Sequence, residues 1–91
     1  MTYTLKFTPT TRKALAQYKK SNPKLFKKLA KLLDELIEHP RTGLGHPEPL
    51  RKGNDVTYSR RISAHDRLIY DIYDEIVMVL IVAVGGHYDD K

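Results

Sequence analysis

The residues best suited to chemistry in this sequence are one glutamate, two arginines and a histidine–tyrosine pair near the end of the chain. Glu48 stands between two prolines that restrict its backbone, Arg61 and Arg67 lie in strand-like segments, and His87 and Tyr88 follow two glycines. A carboxylate, an imidazole and a guanidinium pair are the groups needed to move protons around an RNA phosphodiester and to neutralise its phosphorane. Such a reaction requires no metal and no cofactor.

Strand parity predicts that the two arginines share one face of a sheet. Side chains alternate between the two faces along a strand. In VTYSRRI (56–62) and in RLIYDIYD (67–74), the apolar positions occupy one face, which leaves Arg61 and Arg67 on the other. Two fixed guanidinium groups on an open face are suited to binding a phosphate. Surface salt bridges, for example to Glu48 or Asp71, would explain the same arginines equally well.

Hydrophobic periodicity predicts the elements that would hold these groups. TYTLKF (2–7) alternates as a strand, and residues 11–20 are typical of an amphipathic helix. Residues 23–39 have leucines at the i, i+3, i+4, i+7 spacing of a second helix, with Asn22 as its N-cap. A loop rich in glycine and proline follows over residues 41–55.

The second half of the chain predicts three strands joined by short turns. The last of them, IVMVLIVAV (76–84), is apolar on both faces, as expected of an inner strand. Arg60 has the opposite parity to Arg61, and we expect a structural residue that snorkels or pairs with an acid at the sheet edge. The order β-α-α-β-β-β predicts an α+β fold, an antiparallel sheet with two N-terminal helices on one face, in a single domain over residues 1–91.

The net charge of +5 is concentrated in the first part of the chain. Residues 1–40 carry nine Lys or Arg against three Asp or Glu, whereas residues 41–91 carry seven against eight. A local basic field attracts polyanions such as nucleic acid, although lysine-rich helices that are simply solvated have the same composition. The candidate contacts to nucleic acid are Lys13, Lys19, Lys20, Lys24, Lys27, Lys28, Lys31 and Arg51.

Composition also excludes several classes of protein. The chain has no cysteine, which excludes a disulfide framework, a thiolate metal site and a thiol nucleophile and fits a reducing cytoplasm. No secretory signal is recognised, and the longest apolar run is too short to span a bilayer as a helix, so we expect a soluble protein without membrane contact. His87, Asp89 and Asp90 make a poor metal site because they are adjacent on a terminal tail.

Four segments carry a resemblance to a known family: GLGHPEPLR (43–51), YSRRIS (58–63), DRLIY (66–70) and the terminal HY (87–88). In this order they resemble toxins of the RelE/ParE superfamily, specifically its YoeB (Txe) branch. The resemblance implies a RelE-like, microbial ribonuclease-like fold. It also implies a ribosome-dependent endoribonuclease that cuts mRNA in the decoding A site.

The resemblance further implies a role for each candidate residue. Glu48 would be the general base and His87 the general acid, while Arg67, helped by Arg61, would stabilise the transition state. Tyr88 would orient the nucleotide or the histidine. The products would be a 2′,3′-cyclic phosphate and a 5′-hydroxyl, and the basic helices would be similar to the family surface that grips ribosomal RNA.

Membership of this family would imply a protein partner as well. The expected partner is a cognate antitoxin similar to YefM, with an acidic C-terminal segment that folds onto the toxin, in a homodimer or a toxin–antitoxin hetero-oligomer. An alternative is a noncatalytic relative that clasps a protein target, as the gyrase-targeting ParE branch does, or that acts mainly as a partner or corepressor of its antitoxin. The tail Asp89-Asp90-Lys91 departs from the family pattern and could either favour the imidazolium form of His87 or repel substrate phosphate.

Overall fold

The computed structural model describes residues 2–45, 47–50 and 56–86. Its elements are β1 (Thr4–Phe7), α1 (Pro9–Ser21), α2 (Pro23–Leu36), β2 (Glu48–Pro49), β3 (Thr57–Arg61), β4 (Asp66–Tyr73), a 3-10 turn (Asp74–Ile76) and β5 (Met78–Gly86). The predicted α+β fold is confirmed, and both helices lie in the chain between β1 and the other four strands. The short strand β2 lies inside the segment that the sequence predicted as a loop.

The five strands form one mostly antiparallel sheet in the order β1-β5-β4-β3-β2. The expected hairpins β3–β4 and β4–β5 are antiparallel, and β5 is an inner strand as predicted. One feature differs from the expected antiparallel sheet, because β1 pairs with β5 in parallel. Hairpin reasoning applies to strands joined by short turns, whereas the two helices separate β1 from the rest of the sheet and allow a parallel pairing.

Local capping determines where the helices begin. The Oγ1 atom of Thr8 accepts a hydrogen bond from the backbone N–H of Thr11 at 3.1 Å, so α1 starts at Pro9, where the proline and the threonines around it indicate a helix start. The Oδ1 atom of Asn22 accepts from the backbone N–H of Leu25 at 3.3 Å, which confirms the predicted cap of α2.

The core lies between α2 and the helix-facing side of the sheet. Its buried side chains are Leu29, Leu32 and Leu36 of α2, and Tyr58, Ile62, Leu68, Tyr70, Ile72, Val79 and Ile81 of the second half. Thr11 is also fully buried, and its hydroxyl donates to the carbonyl of Ile81 at 3.1 Å, a contact that the periodicity of α1 does not predict. Within the described ranges, neither helix is long and apolar enough to cross a membrane.

Candidate active site

The pairing of β3 with β4 brings the two candidate arginines together. Arg61 and Arg67 are direct partners in the ladder, and both side chains are exposed. Their neighbours Ile62 and Leu68 have the opposite parity and are fully buried in the core, so the arginines lie on the face away from the helices. Opposed residues in an antiparallel pair have Cβ atoms about 4.5–5.5 Å apart, close enough for both guanidinium groups to contact one phosphate.

Strand β2 adds the candidate base to the same face. Glu48 pairs with Ser59, which lies two residues before Arg61 on β3, so the carboxylate and the arginine are diagonal neighbours. Such neighbours are about 7–8 Å apart, a separation that a nucleotide can bridge. The exposed Glu48 side chain therefore lies on the same face of the sheet as both arginines, as the interpretation of the motif requires.

Strand β5 places Gly85 beside this group. Gly85 pairs with Arg67 and Gly86 with Asp66, so β5 continues through both glycines, two residues further than predicted. Gly85 has a φ of +149°, which favours glycine, and it has no side chain to cover Arg67. His87 follows immediately in the sequence. The predicted residues His87, Tyr88 and Arg51 lie outside the described residues.

The alternative explanation of the arginines as salt-bridge residues lacks its partners in the described part of the chain. Over residues 2–45, 47–50 and 56–86, neither Arg61 nor Arg67 forms an ion pair. Asp71 instead accepts hydrogen bonds from the Thr57 hydroxyl at 2.6 Å and the Tyr73 hydroxyl at 3.0 Å. The two guanidinium groups therefore keep their donors available to an anion.

A hydrogen-bond network that the sequence analysis missed holds the turn between β3 and β4. Asp66 accepts from the hydroxyls of Tyr18 and Ser63, both at 2.9 Å, and the Ser63 Oγ accepts from the backbone N–H of Asp66 at 3.1 Å. Burial, together with the hydrogen bond and the charge of Asp66, raises the pKa of Tyr18 to about 12. The signal that could have found the network is the Ser-x-x-Asp spacing, typical of side-chain-capped turns.

A second network, centred on Arg60, holds the loop that leads to Glu48. Arg60 is fully buried, and its Nη1 donates to Glu35 Oε1 at 2.6 Å while its Nε donates to the Tyr70 hydroxyl at 2.9 Å. The remaining donors bind loop carbonyls, those of His39, Thr42 and Leu44. The predicted pairing with an acid is confirmed, but the guanidinium lies inside the protein and not at a solvated edge.

Glu35 completes this network from the end of α2. Its Oε1 also accepts from the backbone N–H of Leu44 at 2.7 Å. Partial burial on its own raises the pKa of the Glu35 carboxyl, but the hydrogen bonds from Leu44 and Arg60 and the Arg60 charge outweigh it, so the net pKa is lowered. The ionised carboxylate is therefore the form that holds the loop in place.

This lowered pKa predicts acid sensitivity of the fold. As the pH falls, Glu35 becomes protonated in the unfolded chain before it does in the folded protein. Its contribution to the free energy of unfolding is therefore complete above the ordinary pKa of 4.5 and is lost as the pH falls through the lower pKa of the folded state. We expect Glu35→Gln to flatten the acid limb of the free energy of unfolding, measured by urea denaturation from neutral to acid pH. Glu38→Gln, which removes an exposed carboxylate three residues later, should keep the wild-type slope. An unchanged slope in Glu35→Gln would contradict the assignment.

The predicted basic surface is exposed on the two helices. All seven candidate lysines have exposed side chains: Lys13, Lys19 and Lys20 on α1, and Lys24, Lys27, Lys28 and Lys31 on α2. They lie on the elements that cover the opposite side of the sheet from the arginine pair. At the end of β3, two of these lysines, Lys28 and Lys31, line a cleft together with Arg61.

Comparisons with known proteins show which family this chain resembles. The family described as YoeB-like toxin of bacterial type II toxin-antitoxin system matches residues 7–88. Toxin YoeB of Synechocystis sp. is 34% identical over 71 residues, which are 78% of this chain and 80% of that protein. Among solved structures, the YoeB/ParE toxin from Agrobacterium tumefaciens superposes with a TM-score of 0.84 at 25% identity, covering 93% of this chain and 99% of that one.

Two structures from Staphylococcus aureus are similar as well. A YoeB dimer has a TM-score of 0.81 at 27% identity, and a YoeB-YefM complex has a TM-score of 0.79 at 28% identity. Each alignment covers 97% of this chain and 100% of the other. With a family match over nearly its whole length, the chain belongs to the YoeB-like toxins of bacterial type II toxin-antitoxin systems.

Proposed function

We propose that this toxin is a ribosome-dependent endoribonuclease that cuts mRNA in the A site without a metal ion. The observation that carries the proposal is the shared open face, where Glu48, Arg61 and Arg67 lie on three adjacent strands. The neighbouring strand β5 ends beside Arg67, one residue before His87. Three groups with complementary chemistry thus come from three adjacent strands of the sheet, and the proposal adds His87, which follows β5 in the sequence.

The proposed reaction is an in-line attack within the RNA. Glu48 accepts the proton of the ribose 2′-OH, and the 2′-oxygen forms a bond to the adjacent phosphorus. Arg61 and Arg67 bind the non-bridging oxygens and stabilise the additional negative charge of the phosphorane. His87 donates a proton to the leaving 5′-oxygen as the P–O5′ bond breaks, and Tyr88 orients the nucleotide or the imidazole. The products are a 2′,3′-cyclic phosphate and a 5′-hydroxyl.

In this proposal the toxin binds the ribosome through its two basic helices. The exposed lysines of α1 and α2 form a positive surface on the two helices. Such a surface can bind the phosphates of ribosomal RNA while the open face meets the mRNA. The binding of the toxin to ribosomes should therefore weaken as salt is raised.

The partner in this proposal is an antitoxin. The similar YoeB from Staphylococcus aureus has been solved in a complex with YefM and also as a dimer. We infer for this chain a cognate YefM-like antitoxin whose acidic C-terminal segment covers the basic or catalytic surface, in a hetero-oligomer or beside a toxin homodimer, in the cytoplasm. Charge complementarity supports this partner, because the chain has a net charge of +5.

Primer extension on a translated reporter mRNA tests the proposal. We expect wild-type protein to cut within codons when ribosomes are present and to leave the same free mRNA largely intact, because the ribosome supplies both the binding site and the orientation of the substrate. Analysis of the 3′ fragment end should find a cyclic phosphate or the 3′-phosphate derived from it. An intact message on ribosomes would overturn the enzymatic proposal and favour a noncatalytic binding protein.

A further inference from the structure

A cleft of about 580 Å³ lies between α2 and the end of β3, next to the arginine pair. Its described lining residues are Lys28, Lys31 and Leu32 of α2, Leu44 and Gly45 of the loop, and Arg61, Ile62, Ser63 and Ala64. The volume falls in the range of about 300–1,000 Å³ that is usual for small-molecule sites. It is large enough for one nucleotide.

The lining combines positive charge with an apolar floor. Lys28 and Lys31 are three residues apart on α2 and therefore lie on the same side of the helix. Leu32 and Ile62 form a buried floor, and Leu44 at the rim is 53% exposed. None of the described lining residues is acidic. A nucleotide matches both properties, because its base is flat and largely apolar and its phosphate is negatively charged.

The walls of the cleft are held in place by the backbone. The N–H of Arg61 donates to the carbonyl of Gly45 at 2.6 Å, and the Leu44 carbonyl accepts from the buried Arg60. A Cβ on Gly45 would lie 2.8 Å from the Arg61 carbonyl oxygen, so glycine permits this close approach. The cleft is therefore formed before any ligand arrives, which lowers the entropic cost of binding.

We propose that this cleft binds the mRNA nucleotide next to the one that is cut. Arg61 connects the cleft to the candidate active site, because it lines the cleft and is also the cross-strand partner of Arg67. The neighbouring base packs on Leu44 and the apolar floor, and its phosphate contacts Lys28 and Lys31. This inference rests on the proposed endoribonuclease function and divides the lysines of α2 into two groups. Lys24 and Lys27, which do not line the cleft, remain available to ribosomal RNA.

Two double variants with the same change of charge test this assignment. Lys28→Ala/Lys31→Ala removes the cleft lysines, whereas Lys6→Ala/Arg12→Ala removes two exposed cations that neither line the cleft nor belong to the candidate nucleic-acid contacts. Single-turnover cleavage is measured at saturating toxin on ribosomes that carry mRNAs differing only at the nucleotides flanking the cut. We expect the cleft variant to be slower by about tenfold or more, since hydrogen bonds to charged groups are lost, and to discriminate less between flanking nucleotides. The control variant should stay within about twofold of the wild type, since neither of its residues lines the cleft or belongs to the candidate nucleic-acid contacts.

The outcomes separate this inference from the proposed function. If the wild type cuts no message, the enzymatic function fails. If the wild type cuts but both double variants lose the same activity and keep the same nucleotide preference, only the cleft assignment fails. Leu44→Ala tests the apolar part of the cleft without a change of charge. It should also reduce the discrimination between nucleotides that flank the cut.

A titration without ribosomes gives a readout besides activity. The probe is a dinucleotide with a 2′-deoxy sugar at the cleavage position, which cannot be cut. In NMR spectra of the free toxin we expect it to shift the amides of Gly45, Ser63 and Ala64 in the wild type and the control variant, but not in the cleft variant. The absence of these shifts in the wild type would overturn the proposal. The same shifts on adding hexaglutamate and not the dinucleotide would identify a site for an acidic peptide and would overturn it too.

Discussion

Replacing Glu48 with glutamine is expected to lower mRNA cleavage on ribosomes by about 10²–10⁴-fold, the usual contribution of a general base. The amide has nearly the same shape as the carboxylate but cannot accept the 2′-OH proton. Because Glu48 is exposed in β2, the free energy of unfolding should change by no more than about 0.5 kcal/mol. Binding to ribosomes should remain at the wild-type level, since the basic helices are unchanged.

Single-turnover cleavage of a defined mRNA measures this effect, with ribosome saturation confirmed by sedimentation. The matched control is Glu75→Gln, an exposed carboxylate in the turn at the opposite end of β4 from Arg67, and it should cut at the wild-type rate. Combining Glu48→Gln with His87→Gln should cost much less than the product of the two single losses, because an acid and a base of one step act as a unit. A fully active Glu48→Gln protein would remove this residue from the mechanism.

The second large effect concerns stability and compares two adjacent arginines. We expect Arg60→Ala to lower the free energy of unfolding by about 3–5 kcal/mol, because it leaves Glu35, the Tyr70 hydroxyl and loop carbonyls without their buried donor. Arg61→Ala, one residue later, should change it by no more than about 0.5 kcal/mol because that side chain is exposed. Removing the guanidinium group should therefore affect mainly stability at Arg60 and mainly cleavage at Arg61.

Urea denaturation of both variants tests the comparison. Domains of this size have about 5–15 kcal/mol of stability, so the loss expected for Arg60→Ala is a large share of the total, and Arg60→Lys supplies an intermediate variant. The lysine retains the charge near Glu35 but loses the planar set of donors, so we expect a smaller loss than with alanine. Equal stabilities for Arg60→Ala and Arg61→Ala would show that the buried network contributes little.

Most of the site could be anticipated from local patterns. The alternation in VTYSRRI separates Arg61 from the buried Tyr58, Arg60 and Ile62, because parity is a property of the strand itself. The caps at Asn22 and Pro23 follow from residue type in the same way. The family motifs then identify the kind of protein, and the match over residues 7–88 confirms it.

The pairing of distant segments could not be read from these patterns. The register that places Arg61 opposite Arg67 and Glu48 opposite Ser59 depends on contacts between strands, and a slip of one residue would preserve each strand's own alternation. Likewise, β1 lies parallel to β5 because the helices return the chain across the sheet. Such arrangements depend on the path of the whole chain.

The sequence by itself determined the two helices, the strands of the second half, the orientation of each arginine and the family. Only the tertiary structure decided that Arg60 is enclosed by Glu35 and the loop carbonyls, that Glu48 belongs to a strand, and that Lys28 and Lys31 share a cleft with Arg61. The physical reason is distance along the chain. Periodicity and capping act over a few residues, whereas a buried charge or a shared cleft requires segments far apart in sequence to meet.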